Sequence, residues 1–256
     1  MKYLEASALI FVISLLRYFV VAGIPFLLCY KILAKRLVAY RIQGRYPQFK
    51  DFVHDIFHSI QGVGVMTLIA VLILYSPFRS FTLVYQDISR FGAGYLFLSA
   101  VSALVIHDTY FYWMHRMLHH PKLFRHTHLT HHRSVNPSPW SSYSFHFLEA
   151  ALEGAVLIVL VMVMPMHRLA ILLFVCSGFL INVYGHLGYE IMPKWFRRSF
   201  LFGVINTSTH HNLHHSKFKG NYGLYFRFWD RMMGTENPNY VKEYDRMQHQ
   251  RFGEGA

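Results

Sequence analysis

The sequence predicts an all-α, multi-span helical membrane protein of four to five spans, with a cytoplasmic histidine-rich helical cap holding a dinuclear metal site. Three observations carry this. Of 256 residues, 54% are hydrophobic and only 15% charged, too apolar for an ordinary soluble domain of this size. The apolar residues fall in runs of about 20, the length a helix needs to cross a bilayer. Histidine (18) outnumbers Asp plus Glu (13) and is concentrated at helical spacings, which makes imidazole the main potential metal ligand.

Five segments are candidate spans. The N-terminal run "MKYLEASALIFVISLLRYFVVAGIPFLLCYK" is longer than a signal-peptide core and lacks a small-residue cleavage site, so it reads as a retained anchor over about 6–30. Arg17 in its middle must snorkel, face protein or break the segment. Residues 56–78 contain no Asp, Glu, Lys or Arg, and residues 91–113 are polar only toward His107 and Asp108. Residues 147–166 and 169–189 flank "PMHR" as a helical hairpin, with Glu149 and Glu153 implying that the fourth run begins in the interface. The mixture of Trp, Phe, Lys and Arg over 193–205 predicts an interfacial helix. Three regions follow: 1–104 as anchor and first spans, 105–240 carrying the dense histidine groups, and 241–256 as a tail that is loose at its end.

Sidedness comes from the basic residues. The loop 31–50 carries six Lys or Arg and no acid, which predicts a cytoplasmic location. Counting spans from there puts 79–90 and the "PMHR" turn outside. Residues 115–146 and everything after about 186 return to the cytoplasmic side, so every histidine cluster shares one face. The formal charge of +12 fits loops against anionic headgroups, and no ordered nucleic-acid motif accompanies it. Cys29 and Cys176 lie in apolar runs, which argues against a structural disulfide or thiolate site.

Seven histidines fall between 115 and 132. His115 and His119 are four apart and share a helical face until Pro121 ends that helix. "HLTHH" places His128, His131 and His132 at i, i+3 and i+4, and "HNLHH" repeats the spacing with His211, His214 and His215. His186 ends the fifth run. One such group is weak evidence, since paired helical histidines are usually satisfied by solvent or hydrogen bonds. Three groups on one membrane face point to metal. Nine imidazoles exceed the three or four ligands of a zinc site. The Glu-x-x-His pairs of carboxylate-bridged di-iron bundles and the H-E-x-x-H of zinc proteases are both absent. An all-nitrogen or nearly all-nitrogen dinuclear centre of iron, copper or zinc remains. A membrane protein that stores or senses zinc without redox chemistry is the competing reading.

The segments "DTYFYWMHRMLH", "HLTHH", "NPSPWSSYSFHFLE", "NTSTHHNLHH" and "NYGLYFRFWDRMMGT" together resemble the fatty acid hydroxylase/sterol desaturase superfamily of integral-membrane di-iron enzymes, over about residues 105–240. The resemblance implies that His115, His119, His128, His131, His132, His211, His214 and His215 are iron ligands, with His186 matching a family histidine between the second and third boxes. Some members place another histidine four residues on, where this chain has Glu190. Asp108, His120, His146, Glu190 and His210 are expected to support the ligands by hydrogen bonding. His54, His58, His107, His126, His167 and His249 are expected to be non-ligands, and the "NYG" segment to be a packing element without chemistry.

The resemblance implies a centre of two iron ions using O2 to hydroxylate or desaturate a membrane lipid such as a sterol or fatty acyl chain. The surroundings "HHPKLF" and "SFHF" lean toward the sterol branch. The His-Pro-Gly-Gly signature of a cytochrome b5 domain is missing, so the expected electron donor is a separate cytochrome b5-like or ferredoxin-like partner docking on the basic face. The location is the inner membrane of a bacterium or the endoplasmic reticulum of a eukaryote.

Overall fold

The computed structural model describes residues 2–253, so the last three residues of the expected tail lie outside the described residues. Helix α1 (Lys2–Phe26) runs on through a π-helical turn, Leu27–Ile32. The basic loop follows, and α2 (Phe49–Tyr75) begins at a reciprocal cap between Gln48 and Asp51. Helix α3 (Gly92–Leu118) descends to the first histidines, and the short α4 (Pro121–Thr127) and α5 (Leu129–His132) carry the next. Helices α6 (Phe147–Val163) and α7 (Arg168–Gly185) form the hairpin, and α8 (Ser208–Lys217), α9 (Phe228–Met232) and α10 (Tyr240–Phe252) complete the cap.

Helices stand at all five expected places. Among the described residues, however, three helices meet the requirement for a membrane span by length and composition: Tyr3–Ile32, Phe49–Tyr75 and Arg168–Gly185. The other two differ for identifiable reasons. Helix α6 is 17 residues long, about 26 Å at 1.5 Å per residue, and α3 carries His107, Asp108, His115 and Arg116 in its last turns. Leucine, valine and phenylalanine side chains stand exposed along the long helices, among them Leu16, Val20, Leu68, Phe97 and Leu180, as a lipid-facing surface requires.

Two buried layers hold the bundle. Near one end, Ile73 of α2, Ala100 and Ala103 of α3, Leu160 of α6 and Phe174 of α7 pack together. There β1 (Val84–Tyr85) pairs in parallel with β2 (Met166–His167), which joins the 79–90 loop to the "PMHR" turn and so brings together two connections expected on one side. Toward the other end, Tyr18 and Ala22 of α1, Val63 of α2 and Phe179 of α7 form the second layer.

The cap departs from expectation at two points. Residues 194–203 form two 3₁₀ turns, Lys194–Arg198 and Phe200–Gly203, because Ser199 is extended between them. Phe196 and Phe202 are buried while Trp195 and Phe200 project outward. The segment after 240 is an ordered helix whose Tyr240, Tyr244 and Met247 are fully buried; with Leu213 of α8, the two tyrosines join Phe196 and Phe202 in one cluster.

Candidate metal centre

The boxes meet as two groups of imidazoles. His115, His119, His128, His132 and His214 form one, and His131, His186, His211 and His215 the other, with the facing nitrogens of each group within 4.8 Å of one another. Helical geometry explains the division. Within an H-x-x-H-H box the i and i+4 side chains stack, while the i+3 side chain points about 100° away from i+4. His128 and His132 therefore join the first group and His131 the second. In α8 the assignment is reversed: His211 and His215 join the second group and His214 the first. Each H-x-x-H-H box thus contributes to both groups, whereas His115 and His119 both join the first.

The facing atoms in the short contacts are Nε2. In the first group His115 and His128 stand 2.9 Å apart, His132 and His214 3.0 Å, and His119 3.2 Å from both His132 and His214. In the second, His186 lies 3.0 Å from His211, 3.2 Å from His131 and 3.3 Å from His215, and His211 is 3.1 Å from His215. Contacts between two imidazoles whose other ring nitrogen is already committed are not ordinary hydrogen bonds. Five of the nine are so committed, His128 through Glu149 and four through backbone carbonyls, whereas Nδ1 of His131 and His132 has no partner among the described residues. Nδ1 donates to the carbonyl of Tyr222 from His115, of Gly220 from His214, of Asn182 from His186 and of Ser134 from His215, at 2.7–3.0 Å. A neutral imidazole with its proton on Nδ1 presents only a lone pair at Nε2. Lone pairs of His186 and His215 consequently face each other, which a cation between them relieves. Two nitrogens about 2.1 Å from one shared metal stand roughly 3 to 3.4 Å from each other, close to the 2.9–3.3 Å observed. The donor set therefore fits metal.

Burial keeps these bases neutral. It pushes His131, His132, His211 and His215 well below the ordinary imidazole range, and the neighbouring imidazoles add to the effect. Burial likewise lowers His214 to about 4. Neutral imidazole is the form that binds metal.

The supporting residues are only partly those expected. Glu149 is one that sequence reasoning missed: its buried carboxylate accepts from His128 Nδ1 at 2.6 Å. An acid within an apolar run is a functional signal by default, and that signal was present. Asp55 of α2, also buried, accepts from the Ser134 hydroxyl, whose residue supplies the carbonyl that holds His215. The "NYG" segment takes part as well. Gly220 and Tyr222 orient His214 and His115, and Asp230 fixes the turn by accepting from the Tyr222 and Gly223 amides. Gly220 is required because φ is +77° and a Cβ would stand 2.5 Å from the Thr235 carbonyl oxygen.

Asp108 supports indirectly, accepting from the Tyr225 and Phe226 amides just past that turn. Glu190 lies outside both groups: it is fully buried and binds the Thr209 amide and hydroxyl at the start of α8. His120 and His146 are helix caps, each Nδ1 accepting from the backbone amide two residues on, as His167 does for α7. His210 is buried against the Tyr240 ring with neither nitrogen partnered among the described residues. Exposed His126 and His249 and half-buried His107 lie outside both groups.

Beneath the histidines a cavity of about 370 Å³ opens among α1, α2, α3, α6 and α7. Its α7 wall runs from Arg168 to Asn182, about 21 Å of helix, and ends one turn below His186. Phe111 and Phe145, also in the wall, touch His115 and His131 respectively. Arg17 lines this cavity, so the charge in the first run faces protein.

Fold and site together describe a helical, membrane-embedded histidine-cluster protein, and comparison with known proteins specifies the family. The fatty acid hydroxylase family model matches residues 100–235, and the chain belongs to that family. A lathosterol oxidase of Rattus norvegicus is 33% identical over 199 residues, covering 75% of this chain and 64% of the relative. A Delta(7)-sterol 5(6)-desaturase of Gibberella zeae is 32% identical over 189 residues, covering 73% of this chain and 56% of the relative. The chain thus spans less than two thirds of the length of both. The lathosterol oxidase of Homo sapiens is 30% identical over 216 residues, with 78% and 70% covered. No solved structure matches the chain.

Proposed function

We propose that this protein is a non-haem di-iron oxidoreductase that hydroxylates or desaturates a membrane lipid, with a sterol or a fatty acyl chain as substrate and residues 105–240 as its catalytic region. The observation that carries this reading is the juxtaposition of two groups of five and four imidazoles with the end of an apolar cavity of lipid length. The relatives' activities on sterols favour the sterol branch.

The nine histidines would hold two iron ions, one per group. An iron pair, when bound, supplies O2 activation and the removal of hydrogen from an unactivated C–H bond. The protein's own residues do the rest. Backbone carbonyls and Glu149 fix the tautomers of five of the imidazoles, the buried cap excludes water, and the cavity lays the lipid along α7 with its reacting carbon near Phe111 and Phe145. Electrons would come from a separate cytochrome b5-like or ferredoxin-like donor at the cytoplasmic face, where Lys50 and Arg133 border one recess.

Lipid extracts from cells with and without the gene, grown in ¹⁸O2 with iron and a competent donor, test the proposal. One labelled oxygen gained means hydroxylation, and two hydrogens lost without label means desaturation. Absence of both products contradicts the oxidase reading and favours metal storage.

A further inference from the structure

The cavity wall is mostly apolar, and two of its polar residues face each other where α3 meets α6. There the Glu153 carboxylate, only 8% exposed, stands 3.7 Å from His107 Nε2, too far for a hydrogen bond. His107 Nε2 is buried without a partner among the described residues, while its Nδ1 is tied at 2.9 Å to the Tyr225 hydroxyl. The site is built rather than incidental. The Tyr225 amide is held by Asp108, and Gly178 leaves the space the Tyr225 hydroxyl needs, since a Cβ there would collide with it. A carboxylate buried without a hydrogen-bonding partner is costly, so its presence in a lipid-lined cavity calls for a ligand. Arg17 lines the same cavity, its Nε also buried and unpartnered among the described residues. Arg168 lines it too, at the end away from His186, so the choice of ligand turns on the local pair: the Glu153 carboxylate repels a carboxylate or phosphate beside it and accepts from an uncharged hydroxyl.

We infer that Glu153 and His107 form a hydroxyl-reading station, so that the lipid entering this cavity is an alcohol whose O–H donates to Glu153 while its oxygen accepts from His107. This rests on the reading of the cavity as the lipid site and adds the substrate class. It also assigns specificity, because His107 is two turns, about 12 Å of rise, along α3 from His115. Anchoring the oxygen there selects which carbon, several bonds further along, reaches the histidine groups.

Equilibrium binding of radiolabelled lipids to the full chain in detergent tests this, with two alcohol–hydrocarbon pairs as probes: hexadecan-1-ol against hexadecane, and a 3β-hydroxysterol against its 3-deoxy hydrocarbon. At least one alcohol binds about tenfold or more tightly than its hydrocarbon, the effect of one recovered hydrogen bond. Glu153→Leu removes that preference while leaving hydrocarbon binding intact and raising thermal stability; Glu153→Gln, which keeps an acceptor, retains most of it. Equal binding within both pairs, a preference unchanged in Glu153→Leu, or tighter binding of palmitate than of hexadecanol overturns the inference while leaving the lipid-oxidase reading in place. Failure of every lipid to bind overturns both.

Discussion

The Glu149–His128 contact is the clearest case of one residue setting another's chemistry. A carboxylate on Nδ1 fixes the tautomer and turns the Nε2 lone pair inward. Glu149→Leu should weaken metal binding about 10- to 100-fold, while Glu149→Gln, which keeps an oxygen acceptor, should lose much less. Competition with a calibrated chelator measures this, and equal affinities in the two variants would exclude an orienting role. The histidines that meet were legible from their spacing, because i, i+3 and i+4 fix directions on a helix. The caps at His120 and His146 were not. Both adjoin expected ligands or family motifs, and their role depends on a chain turn at the helix start that spacing alone does not reveal.

At the scale of elements, α8 carries three of the nine imidazoles, and its N-terminus is held by a residue in a different segment. Glu190 accepts from the Thr209 amide and hydroxyl while also accepting from the Met192 amide, so it ties the chain after α7 to the start of α8. Hydrogen bonds to a charged group contribute about 1.5–3 kcal/mol. Glu190→Ala is expected to cost roughly that much stability and to accelerate amide exchange over 208–211, measured by hydrogen–deuterium exchange mass spectrometry; unchanged exchange would show that α8 is held elsewhere. The five long helices were legible from their apolar runs. The two 3₁₀ turns at 194–203 were not, since they are set by burial against α8 and the helix after 240; that helix was there to be read, because Tyr240, Tyr244 and Met247 fall at i, i+4 and i+7.

For the molecule as a whole, the parallel pairing of Val84–Tyr85 with Met166–His167 puts two connections at the end of the bundle away from the histidines. With the basic 31–50 loop cytoplasmic, reporter fusions at Arg45 and Gln250 should report the cytoplasm and a fusion at Tyr85 the opposite side. Agreement between 85 and 250 would mean that the crossings are miscounted, with α3 and α6 the first to reconsider. Arg17 shows how a span accommodates a charge: what reads as a defect in the first run is a wall of the internal cavity, and that helix still counts among the three apolar spans.

The central claim is that two irons sit in the five- and four-nitrogen groups. Elemental analysis of the detergent-purified full chain, expressed with ample iron, tests it most directly. About two irons per chain are predicted for the natural sequence and for His249→Ala, whose imidazole is exposed and outside both groups, with marked loss in His128→Ala, His214→Ala and His211→Ala. Full iron occupancy in the three box variants, or stoichiometric zinc in place of iron in the natural sequence, would contradict the account.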